Sequence, residues 1–229
     1  MMLTGKCVAV TGAFGSLGAA VVEAVQKAGA RVAAIDRTAT PHEPLGDAAL
    51  FGNVDLGDMA SAQKTLDDIA QKLGGLDALV NVAGMFRWET LVDGSLDTWD
   101  LLYRVNLRTA AAASKAAVPH LLKSTAGRIV NVGAGAAGKA TAGMGAYAAS
   151  KAGVARLTEA LADELKDQHI TVNAVLPSII DTAPNRADMP TAEFDRWVKP
   201  AQLADVIVFL LSDQAAAITG ALVPVNGRV

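Results

Sequence analysis

Six short apolar runs recur along the chain, and they constrain its fold more than any other feature. Each run has the length of a strand and is rich in Val, Ala and Ile, without a regular alternation of polar and apolar residues. Strands that helices cover on both faces have this pattern, so the runs predict a buried parallel sheet. The runs are Cys7–Val10, Arg31–Ile35, Ala78–Val82, Ile129–Val132, Thr171–Leu176 and Ala221–Val225.

Segments of helical length and spacing separate these runs. Strands that alternate with helices indicate an α/β protein with a doubly wound parallel sheet and three αβα layers. No linker, repeat or low-complexity tract interrupts the 229 residues, so we expect a single domain over 1–229. The predicted helices are Leu17–Ala28, Ser61–Leu73, Leu96–Lys123, Tyr147–Asp167 and Pro200–Leu211.

Composition excludes several classes of function. The chain is 52% hydrophobic, yet no apolar run approaches the ~20 residues that a membrane-spanning helix needs. The net charge of −3 comes from scattered residues of both signs, which gives no reason to expect nucleic acid or an anionic membrane as a partner. The single cysteine, Cys7, excludes a disulfide within the chain, and the histidines lack the spacing of metal ligands. We therefore expect a cytoplasmic protein that binds a small molecule and no metal.

A glycine-rich loop, Thr11–Gly18, follows the first apolar run and leads directly into a predicted helix. Gly12 would permit a tight turn, Gly15 would let the backbone approach a pyrophosphate, and Gly18 would allow the helix to pack closely on the strand. The amino end of the helix would offer backbone amides and the positive end of its dipole to the phosphates. This loop predicts a dinucleotide site.

Asp36 ends the second apolar run, 18 residues after Gly18. A carboxylate at this point accepts hydrogen bonds from the ribose hydroxyls and repels a 2′-phosphate. Asp36 therefore predicts NAD as the cofactor in preference to NADP, although the neighbouring Arg37 would weaken that discrimination.

Tyr147 and Lys151 lie four residues apart in a predicted helix, so both side chains are expected on one face. A neighbouring ammonium favours the phenolate, which predicts a lowered pKa for Tyr147 and a phenol able to donate or accept a proton. This pair alone is a weak signal, because a surface Tyr and a solvated Lys often have the same spacing. The glycine loop and Asp36, which lie upstream, support the functional interpretation of this pair.

Five motifs stand in the order and spacing of the short-chain dehydrogenase/reductase family, which the sequence resembles over essentially its whole length. The resemblance implies a Rossmann-type sheet of about seven strands, a nicotinamide cofactor and hydride transfer. The motifs are Thr11-Gly12 with the glycine loop, Asn81-Val-Ala-Gly84, Asn106, Tyr147-x-x-x-Lys151 and Asn173-Ala-Val-Leu-Pro177.

The same resemblance implies roles for individual residues. Tyr147 would transfer the proton, Lys151 would bind the nicotinamide ribose, and Asn106 would anchor a water relay. Asp55 would hold the adenine, and Thr182 would meet the carboxamide of the nicotinamide. The candidate cofactor-binding residues are Gly12, Phe14, Gly15, Ser16, Leu17, Gly18, Asp36, Arg37, Asp55, Leu56, Asn81, Ala83, Gly84, Tyr147, Lys151, Pro177, Ile180 and Thr182.

The sequence departs from the family pattern at three positions. Ser16 replaces the middle glycine of the loop, and Ser178 replaces a glycine after the sixth strand. Ala134 stands thirteen positions before Tyr147, where the family has its catalytic serine. Alanine has no hydroxyl to bond a substrate carbonyl, and losing one positioned donor costs on the order of 10²–10³ in rate where the reaction needs it.

Three segments also resemble a narrower branch of the family, the dihydropteridine reductases: the glycine loop, the loop that begins at Ala134, and Asp181–Trp197. That branch has the same alanine and uses NADH to reduce a quinonoid pterin, a conjugated ring that needs no serine clamp. Asn81 and Asn106 are features of ordinary family members. We therefore expect an NADH-dependent oxidoreductase with a quinonoid or pterin-like acceptor. The alternatives are a carbonyl or 3-oxoacyl reductase with its serine replaced, and a non-catalytic NAD-sensing regulator.

The expected substrate contacts lie in loops after the strands and in a lid after Pro177. Phe86 could stack on a flat substrate or pack at an interface, and Met189 and Trp197 could line the lid or pack against the core. The candidate substrate-binding residues are Ala134, Phe86, Asn185, Arg186, Met189 and Trp197.

The helix Leu96–Lys123 has an alanine-rich surface that could approach a partner helix closely. By family resemblance, this helix and Tyr147–Asp167 would form the contact of a homodimer or homotetramer. The alternative is that the alanines pack only against the sheet of their own chain.

Overall fold

A computed structural model describes residues 1–229, and its centre is a seven-stranded parallel sheet. The strand order is β3-β2-β1-β4-β5-β6-β7. This confirms the predicted doubly wound α/β fold. The strands are β1 Cys7–Thr11, β2 Arg31–Ile35, β3 Ala49–Phe51, β4 Ala78–Asn81, β5 Arg128–Val132, β6 Thr171–Pro177 and β7 Leu222–Val225.

Helices cover both faces of the sheet. They are α1 Ser16–Lys27, α2 Met59–Leu73, α3 Leu96–Leu102, α4 Thr109–Leu121, α5 Gly145–Leu165, α6 Ala183–Asp188 and α7 Pro200–Leu211. Successive side chains of a strand point to opposite faces, so Val8 and Val10 pack against α1 and α7, whereas Cys7 and Ala9 pack against α2 and α4. No helix has the length and apolarity that crossing a membrane requires.

The structure corrects the predicted helix Leu96–Lys123. The segment is three elements, because a π-helical turn, Tyr103–Arg108, separates α3 from α4. In this turn the Thr109 amide bonds the carbonyl of Arg104, five residues earlier. Nothing in the apolar spacing indicates the extra residue per turn. The short strand β3 and the short helix α6 were likewise not among the elements predicted individually.

The strand order reverses between β1 and β4, which lie side by side at the centre of the sheet. In doubly wound folds, ligands bind at the carboxyl edge beside such a reversal. The loops that follow β1, β4 and β5 all emerge at this edge, and they carry several of the residues expected to bind cofactor or substrate, while six more follow β6.

A buried chain of hydrogen bonds crosses the sheet below this edge. Asn81 of β4 donates through Nδ2 to Asn131 Oδ1 on β5 and to Ser114 Oγ on α4, at 2.8 and 3.1 Å. Asn131 in turn donates to Thr158 Oγ1 on α5 at 2.9 Å. Buried polar groups that find partners fix one arrangement of the elements that carry them. The chain of bonds therefore holds α4 and α5 in register with the two central strands.

Candidate active site

The glycine loop after β1 is compact because two of its glycines touch backbone. Gly12 has a φ of +63°, and a Cβ added there would lie 2.7 Å from Cα of Ala83. A Cβ at Gly18 would lie 2.1 Å from the Gly12 carbonyl oxygen. Gly15 differs, since its Cβ would meet only ordinary contact at 3.6 Å. Gly12 and Gly18 are thus required by packing, while the space beside Gly15 is open.

The amino end of α1 has free donors. Gly15 is the N-cap and provides no side-chain cap, and the first bonded amide within the helix is that of Ala19. The amides of Ser16, Leu17 and Gly18 therefore point out of the helix without partners. Together with the open space at Gly15, they fit the pyrophosphate of a dinucleotide.

Asp36 lies beside this loop at the end of β2. Its Oδ2 accepts a hydrogen bond from the Phe14 amide at 3.0 Å, and its Oδ1 accepts from the amide and hydroxyl of Thr38. The carboxylate retains acceptor capacity, so the group still fits a ribose diol. Arg37 is exposed and forms no ion pair. Asp36 therefore both organises the loop and offers negative charge to the site.

Asp55 lies in the loop after β3. Its Oδ1 accepts from the Gly57 amide and its Oδ2 accepts from Arg104 Nη2, at 2.9 and 2.8 Å. Leu56 beside it is buried. Asp55 is thus fixed in place by Arg104 of the π-helical turn, an interaction that the sequence did not predict.

The loop after β4 brings three candidate residues to the edge of the sheet. The Thr11 hydroxyl accepts from the amides of Val82 and Ala83, both at 3.1 Å, which joins this loop to β1. A Cβ at Gly84 would lie 2.9 Å from Asn106 Oδ1 and 3.3 Å from Lys151 Nζ, so Gly84 leaves both side chains room. Asn81, by contrast, directs its amide into the interior.

Asn106 lies within the π-helical turn and is buried. Its Oδ1 accepts from the Met85 amide at 2.7 Å, and its Nδ2 donates to the Met85 carbonyl at 3.0 Å and to Ser150 Oγ at 2.9 Å. Ser150 in turn donates to the carbonyl of Tyr147 at 2.7 Å. The Asn106 side chain therefore joins the loop after β4 to the helix that carries Tyr147.

Tyr147 and Lys151 share a face of α5, as predicted, and the Lys151 Nζ lies 6.0 Å from the centre of the phenol ring. Lys151 is buried and donates to the Val132 carbonyl at 2.8 Å. Burial disfavours a charged ammonium, and it lowers the pKa of Lys151 to about 8.

The expected direction of the Tyr147 pKa shift was wrong. Burial raises the pKa of Tyr147 to about 12, because it removes the phenolate from water. At neutral pH the phenol is therefore protonated and has a proton to donate.

Ala134 follows β5 and is buried, with no hydroxyl to offer. In the same loop, Thr141 directs its hydroxyl to the sulfur of Met144. Phe86 packs edge-on against Tyr147, with ring centres 4.9 Å apart, and is 49% exposed. The site thus has an aromatic side beside Tyr147 and an apolar residue at the serine position.

The lid begins where β6 ends at Pro177. Ile180 pairs with Val198, and Thr182 caps α6 by accepting from the Asn185 amide. The Asn185 side chain donates to the Ile180 carbonyl at 2.8 Å, so both polar groups serve the lid itself.

The polar and aromatic lid residues expected to meet substrate also have partners within the lid. Arg186 pairs with Asp181 through two nitrogens and covers the ring of Phe194 at 4.6 Å. Lys199 binds the same carboxylate, and the two cations hold the pKa of Asp181 far below its usual range. Trp197 is buried against Phe194, while Met189 is half-buried. In this arrangement Arg186 and Trp197 stabilise the shape of the lid.

Sequence reasoning missed Arg104, Ser150 and Lys199 as supports of the site. Ser150 stands three residues after Tyr147, a spacing at which a helical serine bonds the preceding turn, so a signal existed. No sequence signal marks Arg104 or Lys199, because each binds a carboxylate that is distant in sequence.

The chain resembles known dehydrogenases over its whole length. Residues 6–192 match the profile of the family described as short chain dehydrogenase. The 3-oxoacyl-[acyl-carrier-protein] reductase FabG of Vibrio harveyi is 35% identical over 239 residues, covering 99% of this chain and 98% of that protein. The D-threitol dehydrogenase of Mycolicibacterium smegmatis is 35% identical over 245 residues, covering 98% and 93%. Carveol dehydrogenase from Mycobacterium avium in complex with NAD has a TM-score of 0.87 at 27% identity, covering 99% and 98%.

The two loop glycines should respond differently to alanine. Gly18→Ala places a methyl group 2.1 Å from the Gly12 carbonyl, so we expect it to distort the loop, lower the melting temperature and abolish dinucleotide binding. Gly15→Ala is the matched control for folding, because its methyl group meets only an ordinary contact, 3.6 Å from the Gly12 carbonyl oxygen; it should melt like the wild type. Thermal melts and calorimetric titration measure both effects. Equal melting temperatures for Gly18→Ala and Gly15→Ala would contradict this account of the loop.

Proposed function

The chain belongs to the short-chain dehydrogenase/reductase family, and we propose that it is an NADH-dependent reductase in which Tyr147 donates the proton. As an oxidoreductase of this family it transfers hydride between a nicotinamide cofactor and a small-molecule substrate. The observation that carries the proposal is the placement of Tyr147 and the buried Lys151 on one helix face beside the glycine loops.

The cofactor would lie along the carboxyl edge of the sheet. The amides of Ser16, Leu17 and Gly18 would bind its pyrophosphate. Asp36 would accept hydrogen bonds from the hydroxyls of the adenosine ribose. Asp55 and Leu56 would border the adenine. When bound, the nicotinamide supplies the hydride.

The remaining candidate residues would surround the nicotinamide. Gly84 leaves space above Lys151, whose ammonium would reach the nicotinamide ribose. Further along the edge, Pro177, Ile180 and Thr182 would border the nicotinamide.

The protonation state of Tyr147 fits the role of proton donor. Tyr147 keeps its proton at neutral pH, because burial raises its pKa to about 12, and can pass it to the atom of the acceptor that gains negative charge. The pKa of Lys151, about 8, is close to neutral pH, so the ammonium can gain or lose a proton when the phenol loses its own. A regulator that only senses NAD would have no use for this pair.

We propose a conjugated ring, quinonoid or pterin-like, as the acceptor. Ala134 supports this choice, because such a ring spreads the negative charge and does not need a hydroxyl clamp on a single carbonyl. The exposed ring of Phe86 beside Tyr147 offers a surface for a flat substrate. A 3-oxoacyl reductase is the second candidate, supported by the 35% identity to the V. harveyi reductase.

We also propose that the chain forms a homodimer or homotetramer through α4 and α5. Light scattering at micromolar concentration measures the mass in solution, and we expect two or four times the 23.4 kDa of one chain. Ala112, Ala113, Ala116 and Ala117 are buried in the single chain, so they pack against its own sheet. The contact would therefore use the outer faces of these helices, and a monomeric mass would refute it.

Cofactor preference should depend on the charge of Asp36. We expect NADH to bind more tightly than NADPH, because the carboxylate repels the 2′-phosphate. Asp36→Asn removes the charge and keeps an acceptor oxygen for one of the two backbone amides, that of Phe14 or that of Thr38, so it should reduce the difference between the two affinities. A thermal melt of the variant checks that the loss of the other bond leaves the protein folded. Fluorescence titration of both cofactors measures the ratio. Tighter NADPH binding by the wild type would contradict the preference.

Two substitutions should separate the acceptor classes. Tyr147→Phe removes the proton donor but keeps the ring against Phe86, so turnover of a quinonoid acceptor should fall by about 10²–10⁴. Ala134→Ser should leave that turnover nearly unchanged and raise activity on simple ketones, because it supplies the missing donor. Steady-state kinetics with quinonoid pterins, quinones, 3-oxoacyl thioesters and simple ketones measures both effects. If the wild type reduces ketones or 3-oxoacyl thioesters as fast as quinones and Ala134→Ser adds nothing, the quinonoid proposal fails.

A further inference from the structure

The loop after β4 follows an irregular path that a few contacts fix. Residues 82–95 contain no helix or strand, although they lie between β4 and α3 at the edge where the candidate site is. Loops of this length without regular structure are uncommon in compact domains unless they have a function. Phe86 of this loop packs against Tyr147, and the segment Phe86–Glu89 continues from it.

Two hydrogen bonds join this segment to the loop before α5. The indole Nε1 of Trp88 donates to the Ala142 carbonyl at 3.0 Å, and the Glu89 amide donates to the Gly143 carbonyl at 2.8 Å. We call this pair of bonds the clasp. The clasp connects two loops that are more than fifty residues apart in sequence.

The Trp88 ring also rests directly on Gly143. A Cβ at Gly143 would lie 2.1 to 2.6 Å from three atoms of the indole, so only glycine leaves room for the ring. Gly143 also has a φ of +75°, which glycine adopts readily. Both the backbone conformation and the indole ring therefore favour glycine at position 143.

The clasp lies close in sequence to both partners of the contact between Phe86 and Tyr147. Phe86 is two residues before Trp88, and Tyr147 is four residues after Gly143. The two rings meet edge-to-face with an interplanar angle of 86°. Movement of either loop away from the other would separate these rings and admit water to the phenol.

Trp88 contributes little to the core, since it is 60% exposed. An exposed aromatic side chain with a specific hydrogen bond and a glycine beneath it is better explained by a local role than by global stability. Leu91 is exposed in the same loop, and its apolar side chain has no hydrogen bond to hold it in place.

We propose that Trp88 is a positioning residue for the reaction: through the clasp it holds Phe86 against Tyr147 and so fixes the orientation of the phenol. This inference rests on the proposed function, in which Tyr147 donates the proton. Trp88 acts through Phe86 and α5 and does not itself transfer a proton. A misplacement of about 1 Å at a reacting group is able to cost about 10²-fold in rate.

Four variants test the proposal by steady-state kinetics with NADH and whichever acceptor the wild type turns over. Trp88→Ala removes the ring and the hydrogen bond, and we expect kcat to fall about tenfold to a hundredfold while the Kd of NADH stays within about twofold. Trp88→Phe keeps an aromatic ring over Gly143, so it should recover part of kcat. Leu91→Ala is the matched control from the same loop and should have wild-type kcat.

Gly143→Ala supplies the decisive comparison. In the wild type the added methyl group would collide with the indole, and kcat should fall as it does in Trp88→Ala. In the Trp88→Ala background the collision is absent, so the further loss from Gly143→Ala should be several-fold smaller than in the wild type. If the kcat losses of Trp88→Ala and Gly143→Ala simply multiply in the double variant, the two positions act independently and the proposed role of the clasp is wrong.

A measurement without substrate keeps this test separate from that of the proposed function. Hydrogen exchange of the amides at Met144 and Glu89 should quicken in Trp88→Ala and remain slow in Leu91→Ala, with equal circular-dichroism melts for both. If exchange quickens in Trp88→Ala but Tyr147→Phe retains full turnover, the proposed function is wrong. The clasp then joins the two loops but has no role in the reaction. Unchanged exchange or unchanged kcat in Trp88→Ala overturns the positioning role.

Discussion

The candidate site depends on hydrogen bonds that join three adjacent strands where they end. The register places Thr11, Asn81 and Asn131 side by side on β1, β4 and β5. Thr11 binds the two amides that follow Asn81, and Asn81 binds Asn131. The glycine loop, the loop after β4 and the loop after β5 each start at or just beyond one of these residues. The hydrogen bonds at the strand ends therefore set the relative positions of the three loops.

Burial decides the chemistry of the two central side chains. A solvated phenol and ammonium at helical spacing would have ordinary pKa values. Here burial raises the pKa of Tyr147 and lowers that of Lys151, so the phenol titrates further from neutrality and the ammonium closer to it. The carbonyl of Val132 compensates the ammonium for part of its lost hydration. This environment leaves Tyr147 protonated at neutral pH and brings the pKa of Lys151 closer to neutrality, which fits the proton-donor role that we propose for Tyr147.

The lid differs from the rest of the site in that its polar groups satisfy one another. Asp181 receives both Arg186 and Lys199, and its carboxylate is almost inaccessible to solvent. Arg228 reaches back from the carboxyl end of the chain to Asp195, while Arg196 binds the Arg228 carbonyl. A substrate under the lid would therefore meet its apolar and backbone surface unless these pairs open.

Local patterns in the amino-acid sequence predict six of the seven strands, most of the flanking helices and the glycine loop. These patterns are continuous apolar runs, helical spacing and glycines at fixed intervals. The sequence also placed Tyr147 and Lys151 on one face, since helix geometry alone requires this. The pKa of Tyr147, the partners of Arg186 and the clasp at Trp88 follow only from how the folded elements pack together. Each of these depends on desolvation or on contacts that leave no periodic signal in the chain. The π-helical turn at Asn106 belongs to the same group, because the bonds from Asn106 to Met85 and Ser150 join residues that are more than twenty positions away in sequence.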